Sequence, residues 1–203
     1  MMPSSKRAQS SESINDVIAS RWSPRAFDAD KAVTRERITA LLEAARWAPS
    51  CYGDEPWRFL VFDKARDPES WHKARACLVE GNQAWATHAP VLMASVADSC
   101  FRRNGKPNRW GMYDTGAAAI SLCLQATAQG MIAHQMGGFD AARLAESFGI
   151  PDAFTPMAMI AIGYEGDLES LPEGSREAEL AERSRQPLDE IAFSGHWDSP
   201  YSD

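Results

Sequence analysis

The chain has 203 residues, 44% of them hydrophobic and 24% charged, which are the proportions of a folded globular protein and argue against a disordered or fibrous chain. Its formal net charge of −7 makes it a poor electrostatic match for a nucleic-acid backbone. Polar side chains interrupt the longest apolar stretch, residues 115–131, so we expect a buried helix there and no membrane span.

Cysteine usage and the composition of the N-terminus favour a cytoplasmic location. The four cysteines form no CxxC pair and have no histidine at metal-ligand spacing, so we expect reduced, packed thiols and no metal site. Residues 1–13 contain no apolar segment of the kind that directs secretion.

The first part of the chain predicts two helices and a strand after a mobile, polar segment over residues 1–11. Apolar residues repeat at helical spacing before Pro24, which predicts a short first helix. A second helix is expected between Thr34, as its N-cap, and Pro49. The aromatic and aliphatic run of residues 57–62 predicts a strand.

The middle of the chain predicts a helix, a strand and a loop. Residues 68–88 have helical character, and residues 91–98 form a second apolar strand. The glycine, proline and asparagine content of residues 101–111 predicts a loop.

Two further helices and a third strand are expected before an extended tail. The long helix runs from about Asp114 to a terminating Gly130, and a shorter helix runs from Asp140 to Gly149. Residues 157–164 predict the strand. Because helices and strands alternate, the predicted class is α/β or α+β, with helices that cover a sheet.

Residues 21–25, RWSPR, place two arginines and a hydroxyl within one turn. Arginine makes bidentate contacts to phosphate, and serine adds a short hydrogen bond, so this segment is a candidate anion site. The alternative is a solvated basic patch at a helix end, where positive charge is favourable in any case.

Residues 45–57 form an irregular connection between a helix and a buried strand. Its prolines restrict the path of the loop, while Gly53 permits unusual backbone angles. Such a rigid loop can present backbone amides and Ser50 to a ligand. The alternative is a plain helix-to-strand connection with buried tryptophans.

Together these two segments resemble the opening motifs of the FMN-dependent nitroreductase family, which are Arg-x-Ser-x-Arg/Lys, a helix, and then Pro-Ser-Ser-x-Asn-x-Gln-Pro-Trp. The matching stretches are RWSPRAF and EAARWAPSCYGDEPWRFLVF. The resemblance covers residues 12–197 and continues through residues 81–85, 136–140, 161–164 and 183–185.

The resemblance implies one FMN-binding domain over residues 12–197 and a tail over residues 198–203. The implied fold is α+β, a three-layer α/β/α sandwich whose central, mostly antiparallel sheet is flanked by helices. It also implies a homodimer with exchanged C-terminal segments and with FMN at the subunit interface.

For the cofactor phosphate, the resemblance implies that Arg21, Arg183 and Arg185 bind it together. Three guanidinium groups can neutralise a phosphate dianion even in an acidic chain. Ser23 and Arg25 are expected to contact the phosphate or the ring, with Arg25 near the pyrimidine edge, where positive charge favours reduced flavin.

For the flavin ring, the resemblance places Asn82 at the polar edge and the loop at Ser50 in the site of the other subunit. The backbone of residues 136–138 is expected to lie against the ring, with the Gly138 amide near N5, since glycine permits close approach. The expected cofactor-binding residues are Arg21, Trp22, Ser23, Arg25, Pro49, Ser50, Cys51, Gly53, Asn82, Met136, Gly137, Gly138, Arg183 and Arg185.

Three positions depart from the family pattern. Gly53 stands where asparagine is usual, which removes an amide contact to the cofactor. Glu55 replaces glutamine and either adds negative charge near the site or faces solvent. Cys51 replaces serine, and no histidine is in view to activate it as a nucleophile.

Aromatic side chains and one histidine complete the candidates. Four aromatics are expected to line a pocket for flat substrates, with ordinary core packing as the alternative. They are Tyr52, Trp85, Phe101 and Trp110. Among the scattered histidines, His134 lies closest in sequence to the expected ring-binding segment.

The implied activity is ping-pong hydride transfer from NADH or NADPH through FMN to a nitroaromatic, quinone or similar conjugated acceptor. Because the flavin performs the redox chemistry, no catalytic side chain is expected. Two alternatives share these motifs: a flavin-binding storage or sensor module with little turnover, and an FMN-dependent dehydrogenase of another small molecule.

Overall fold

A computed structural model describes residues 6–201. Its strands are β1 Trp57–Asp63, β2 Val91–Asp98, β3 Ile132–Met136 and β4 Phe154–Gly163. Its helices are α1 Asp16–Ser20, α2 Arg35–Arg46, α3 Pro68–Arg75, α4 Glu80–Ala86, α5 Gly111–Ala128, α6 Ala141–Phe148 and α7 Glu173–Leu180. None of these helices combines the length and the apolar content needed to cross a bilayer.

The helix ends follow local sequence signals. The Thr34 side chain accepts a hydrogen bond from the Arg37 amide at the start of α2, and Asp140 accepts one from the Arg143 amide at the start of α6. Gly149 ends α6 in the left-handed region, with φ of 63°. These predictions from sequence are therefore confirmed.

Three features of the secondary structure differ from the predictions. The helical stretch 68–88 is two helices, because Leu78 leaves the helix to form an antiparallel bridge with Phe139. Helix α7 and the short strand β3 were not predicted. His134 and Gln135 break the apolar pattern of β3, so its pairing with β4 supplies the strand.

The sheet has the order β1-β2-β4-β3, and every neighbouring pair is antiparallel. One of its two hydrophobic clusters includes buried residues of α3, α4 and α6, and the other includes residues of α2 and α5. Successive residues of β2, such as Leu92 and Met93, belong to opposite clusters, so the strand is buried on both faces. The expected α+β sandwich of three layers is confirmed.

The described segment that precedes α1 packs against this helix. Residues 1–5 of the expected mobile segment and residues 202–203 of the expected tail lie outside the described range. Lys6 is buried, with 4% exposed, and the Ala8 amide donates a hydrogen bond to the Ala19 carbonyl at 2.8 Å. The described part of the segment before α1 is therefore attached to the fold at these two points.

Candidate functional site

The two ends of the chain meet at a recess of about 190 Å³ beside the end of α1, which we call the arginine recess. Arg21, Arg183 and Arg185, the three arginines expected to act together, all line it. Its lining residues are Lys6, Arg21, Trp22, Ser23, Arg25, Ala178, Ala181, Glu182, Arg183 and Arg185. Lys6 was not predicted, because nothing in its polar sequence surroundings distinguishes it.

The residues that follow α1 form one side of the arginine recess. The Arg21 amide donates to the Val17 carbonyl at 3.0 Å, and the backbone is extended from Arg21 onward. This extension brings the Arg21 guanidinium to 3.4 Å from the Ser23 hydroxyl, so the two face the same space. The predicted pairing of a hydroxyl with an arginine is present in the geometry.

Glu179, on α7, links the C-terminal residues of the recess to the segment that follows α1. Its Oε1 accepts hydrogen bonds from the backbone amides of Arg25 at 2.8 Å and Ala26 at 3.4 Å. Its Oε2 lies 3.5 Å from the Arg25 guanidinium, and the residue is 3% exposed. Sequence reasoning missed Glu179 because it missed α7, whose one buried residue this is.

His134, on β3, contacts the segment between Arg21 and Arg25 through Pro24. Its Nδ1 lies 3.0 Å from the Pro24 carbonyl oxygen, and its ring packs 4.6 Å from that of Trp85. Burial lowers the pKa of His134 to about 4, with smaller contributions from the positive charges of Arg25 and Arg21. The neutral ring, with its proton on Nδ1, therefore donates to Pro24 at neutral pH.

The arginine recess is strongly positive. The Arg183 guanidinium donates to the carbonyls of Lys6 at 2.5 Å and Ala19 at 3.5 Å. Burial, and then the neighbouring Arg21 and Arg185, lower the pKa of Arg183 below its usual range. Within residues 6–201, these three arginines have no carboxylate oxygen within 4.0 Å. An anion in the recess would relieve this repulsion.

One buried donor belongs to a residue that lines the recess. The indole Nε1 of Trp22 is shielded from solvent and makes no hydrogen bond within the described chain. Because the atom is shielded, it is not counted among the donors that face the recess. The recess offers guanidinium groups and a hydroxyl, which together suit a phosphate.

The glycine pair after β3 forms the second expected part of the site. Asn82 Nδ2 and the Val79 amide both donate to the Gly138 carbonyl at 3.0 Å. A Cβ on Gly138 would lie 2.8 Å from Asn82 Nδ2 and 2.9 Å from Val79 Cγ2, whereas a Cβ on Gly137 would meet nothing within 4 Å. Any larger residue at 138 therefore displaces the side chains of Asn82 and Val79, and Asn82 and Gly138 are in direct contact.

The loop at Ser50 is rigid and lies apart from the arginine recess of the same chain. The Cys51 amide donates to the Asp114 carboxylate at 3.0 Å, and the Glu55 amide donates to the Ser50 hydroxyl at 3.0 Å. Tyr52, Gly53 and Glu55 have positive φ of 57°, 63° and 51°, so three residues of this loop are left-handed. Its expected ligands, Pro49, Ser50, Cys51 and Gly53, do not line the recess.

The four expected pocket aromatics do not form one group. Tyr52 and Phe101 pack edge-on at 6.1 Å, with the Arg103 guanidinium 3.8 Å above the Tyr52 ring. Trp110 is 40% exposed and packs edge-on against Tyr113 at 6.3 Å, apart from the other three. Trp85 is 2% exposed and stacks on Phe27 at 6.1 Å, so we correct its assignment: it is a core residue because helix α4 turns it inward.

Comparison with known proteins gives a consistent result. The model of the nitroreductase family matches residues 18–164. A solved structure described as an oxidoreductase containing FMN is 38% identical, with a TM-score of 0.89, and the alignment covers 98% of this chain and 100% of that one.

Two more distant relatives agree. YdgI of Bacillus subtilis (strain 168), provisionally named an NAD(P)H nitroreductase, is 27% identical over 188 residues, covering 75% of this chain and 88% of YdgI. A solved structure from Desulfovibrio desulfuricans, provisionally described as a nitroreductase in complex with FMN, is 27% identical, with a TM-score of 0.70 and coverage of 91% and 99%.

Proposed function

The chain belongs to the nitroreductase family, and from this premise we propose that it is an FMN-dependent oxidoreductase that uses NADH or NADPH. The observation that carries the proposal is the arginine recess, where Arg21, Arg183 and Arg185 converge with no carboxylate oxygen within 4.0 Å of them among residues 6–201. The relatives described as containing FMN provide a ligand of matching chemistry.

The residues present fit the phosphate end of FMN. Arg21, Arg183 and Arg185 supply charge, and Ser23 supplies a hydroxyl. The recess, at about 190 Å³, is smaller than the roughly 300 Å³ lower bound of pockets that enclose a whole drug-sized ligand. It therefore suits the phosphate, while the ring needs other residues.

The remaining expected ligands supply the ring site in this proposal. Asn82 donates a hydrogen bond to Gly138, which follows strand β3 in the chain. The same strand carries His134, which contacts Pro24 in the segment that follows α1. Bound FMN would supply hydride-transfer chemistry between NAD(P)H and a nitroaromatic, quinone or similar conjugated acceptor. The chain's own contribution is to position the flavin, and no side-chain acid or base is required for it.

We propose a homodimer, with the loop at Ser50 reaching the flavin held by the partner. Helix α5 supports this proposal, because it leaves a large apolar face uncovered. Tyr113 is 74% exposed and Ile120 is 40% exposed, and Leu124 continues the face one turn further on. Ile18 of α1 lies beside Leu124 and is 51% exposed. Contiguous apolar surface of this kind is typical of an interface.

The absorbance spectrum of the purified protein tests the proposed function. We expect a yellow protein whose visible flavin band bleaches under anaerobic NADH or NADPH and returns on addition of a quinone. A yellow protein that is inert to both nicotinamides would support the storage or sensor alternative instead. A colourless protein that FMN does not reconstitute would refute both. The cytoplasmic location inferred from the sequence remains a prediction.

A further inference from the structure

Lys6 is a buried cation in a segment that precedes the residues matched by the family model. Lys6 is one of the residues that line the arginine recess, it is 4% exposed, and its ammonium lies 4.9 Å above the ring of Trp22, another lining residue. A buried charge costs several kcal/mol unless it is paired or hydrogen-bonded, so the surroundings of this ammonium group indicate what it binds.

The described chain gives Lys6 only partial compensation. Its Nζ donates to the Ala181 carbonyl and lies 4.9 Å above the Trp22 ring. Across residues 6–201, no carboxylate oxygen lies within 4.0 Å of Nζ. A lysine ammonium has three N–H donors, so two remain for another acceptor.

The backbone of Lys6 holds the side chain at this place. The Lys6 carbonyl accepts a hydrogen bond from the Arg183 guanidinium at 2.5 Å, and the Ala8 amide donates to the Ala19 carbonyl at 2.8 Å. The N-terminal segment is thereby attached both to the end of α1 and to the C-terminal arginines. Lys6 thus shares a hydrogen bond with an expected phosphate ligand.

We propose that Lys6 is a phosphate-binding residue of the cofactor site and acts together with Arg21 and Arg183. The proposal rests on the proposed function, because the anion is taken to be the phosphate of FMN. It adds a ligand from outside the family's matched region, so residues before α1 would control how tightly this chain holds its cofactor.

A comparison of FMN with riboflavin tests the proposal, because riboflavin has the same ring and ribityl chain but no phosphate. Dissociation constants are measured by flavin fluorescence with the full chain after removal of bound flavin. We expect K6Q to weaken FMN binding roughly 10-fold or more, as for loss of a charge-assisted hydrogen bond. Riboflavin binding should change less than about twofold, because it lacks that contact.

Two further variants complete the experiment. K6R keeps the charge and should retain most of the FMN affinity. R7Q is the matched control: Arg7 is the next residue, its side chain is 52% exposed, and it pairs with Asp16 away from the recess. R7Q should bind both flavins as the parent chain does.

Three outcomes would overturn the proposal. If K6Q binds FMN as tightly as the parent chain, Lys6 does not touch the phosphate. If K6Q weakens both flavins equally, Lys6 only supports the fold, and a lowered unfolding midpoint without flavin would accompany that result. If the parent chain itself binds neither flavin, the proposed function fails and the role of Lys6 fails with it.

Discussion

The Oε1 atom of Glu179 lies 2.8 Å from the backbone nitrogen of Arg25, across 154 residues of sequence. This contact attaches α7, and with it Arg183 and Arg185, to the segment that carries Arg21. A buried carboxylate paired with Arg25 is therefore one of the contacts that bring these arginines together, beside the hydrogen bond from Arg183 to the Ala19 carbonyl.

We expect Glu179→Ala to lower the free energy of unfolding by about 2–4 kcal/mol, because it leaves two backbone amides and part of the Arg25 charge uncompensated. Glu179→Gln should cost less, since its amide oxygen can still accept from both backbone amides. Urea denaturation measures the difference. Glu177→Ala, on an exposed position of the same helix, is the control. Equal stability of the Glu179→Ala and parent chains would contradict this role.

His134 should make stability depend on pH. Its folded-state pKa of about 4 lies below the unfolded value of 6.5, so the unfolded chain binds the proton first as the pH falls. This contribution is fully present above pH 6.5 and is lost between about pH 6.5 and pH 4, with a total on the order of 3 kcal/mol.

The His134→Gln variant isolates this contribution. Its denaturation free energy should be nearly constant over the window from pH 6.5 to pH 5, where the parent chain loses stability. A parallel pH dependence in the two proteins would show that other groups cause the loss.

Alanine substitutions at Gly138 and Gly137 form a test and its control, because only the first adds a Cβ in a crowded place. Gly138→Ala places a Cβ 2.8 Å from Asn82 Nδ2 and 2.9 Å from Val79 Cγ2, so we expect about 1–3 kcal/mol of destabilisation and weaker FMN binding. Gly137→Ala meets no atom within 4 Å and should leave the melting temperature almost unchanged. Thermal denaturation without flavin compares them. Similar melting temperatures for both variants would show that the contact at Gly138 relaxes without cost.

The apolar face of α5 predicts the oligomeric state. Ile120→Glu should convert the proposed dimer to a monomer, because a carboxylate would lose its hydration in an apolar interface. The same variant should lose FMN affinity if the partner's Ser50 loop completes the site. Light scattering during size-exclusion chromatography measures the mass, and Ile120→Val should stay dimeric. A monomeric parent chain would refute the interface.

Much of the fold could be predicted from local pattern. Thr34 and Asp140 act as caps, Gly149 ends a helix, and the apolar runs of β1 and β2 form strands, because each depends on neighbours within a few residues. Strand β3 and helix α7 were missed, since they are short and form through contacts with distant segments.

For the candidate site too, some residues could be nominated from the sequence, and others were placed only by packing in the structure. Residue chemistry nominated the segment at Arg21 and the Ser50 loop, because arginine and serine suit phosphate and a rigid loop can present amides. The family resemblance added Arg183, Arg185 and the glycine pair. Trp85 was misplaced, since an aromatic on a short helix points either to a pocket or to the core, and only packing against Phe27 distinguishes the two.

By itself the sequence determined the helix caps at Thr34 and Asp140, the strands β1 and β2 and, through its family resemblance, the guanidinium groups that suit a flavin phosphate. Tertiary structure alone decided that Lys6 and Glu179 lie with those groups and that His134, a candidate only by its position in the sequence, contacts the Pro24 carbonyl. Each contacts a segment more than 100 residues away, at Arg183, Arg25 and Pro24 respectively. Such contacts depend on the burial of whole helices and strands, and no local spacing of residues encodes them.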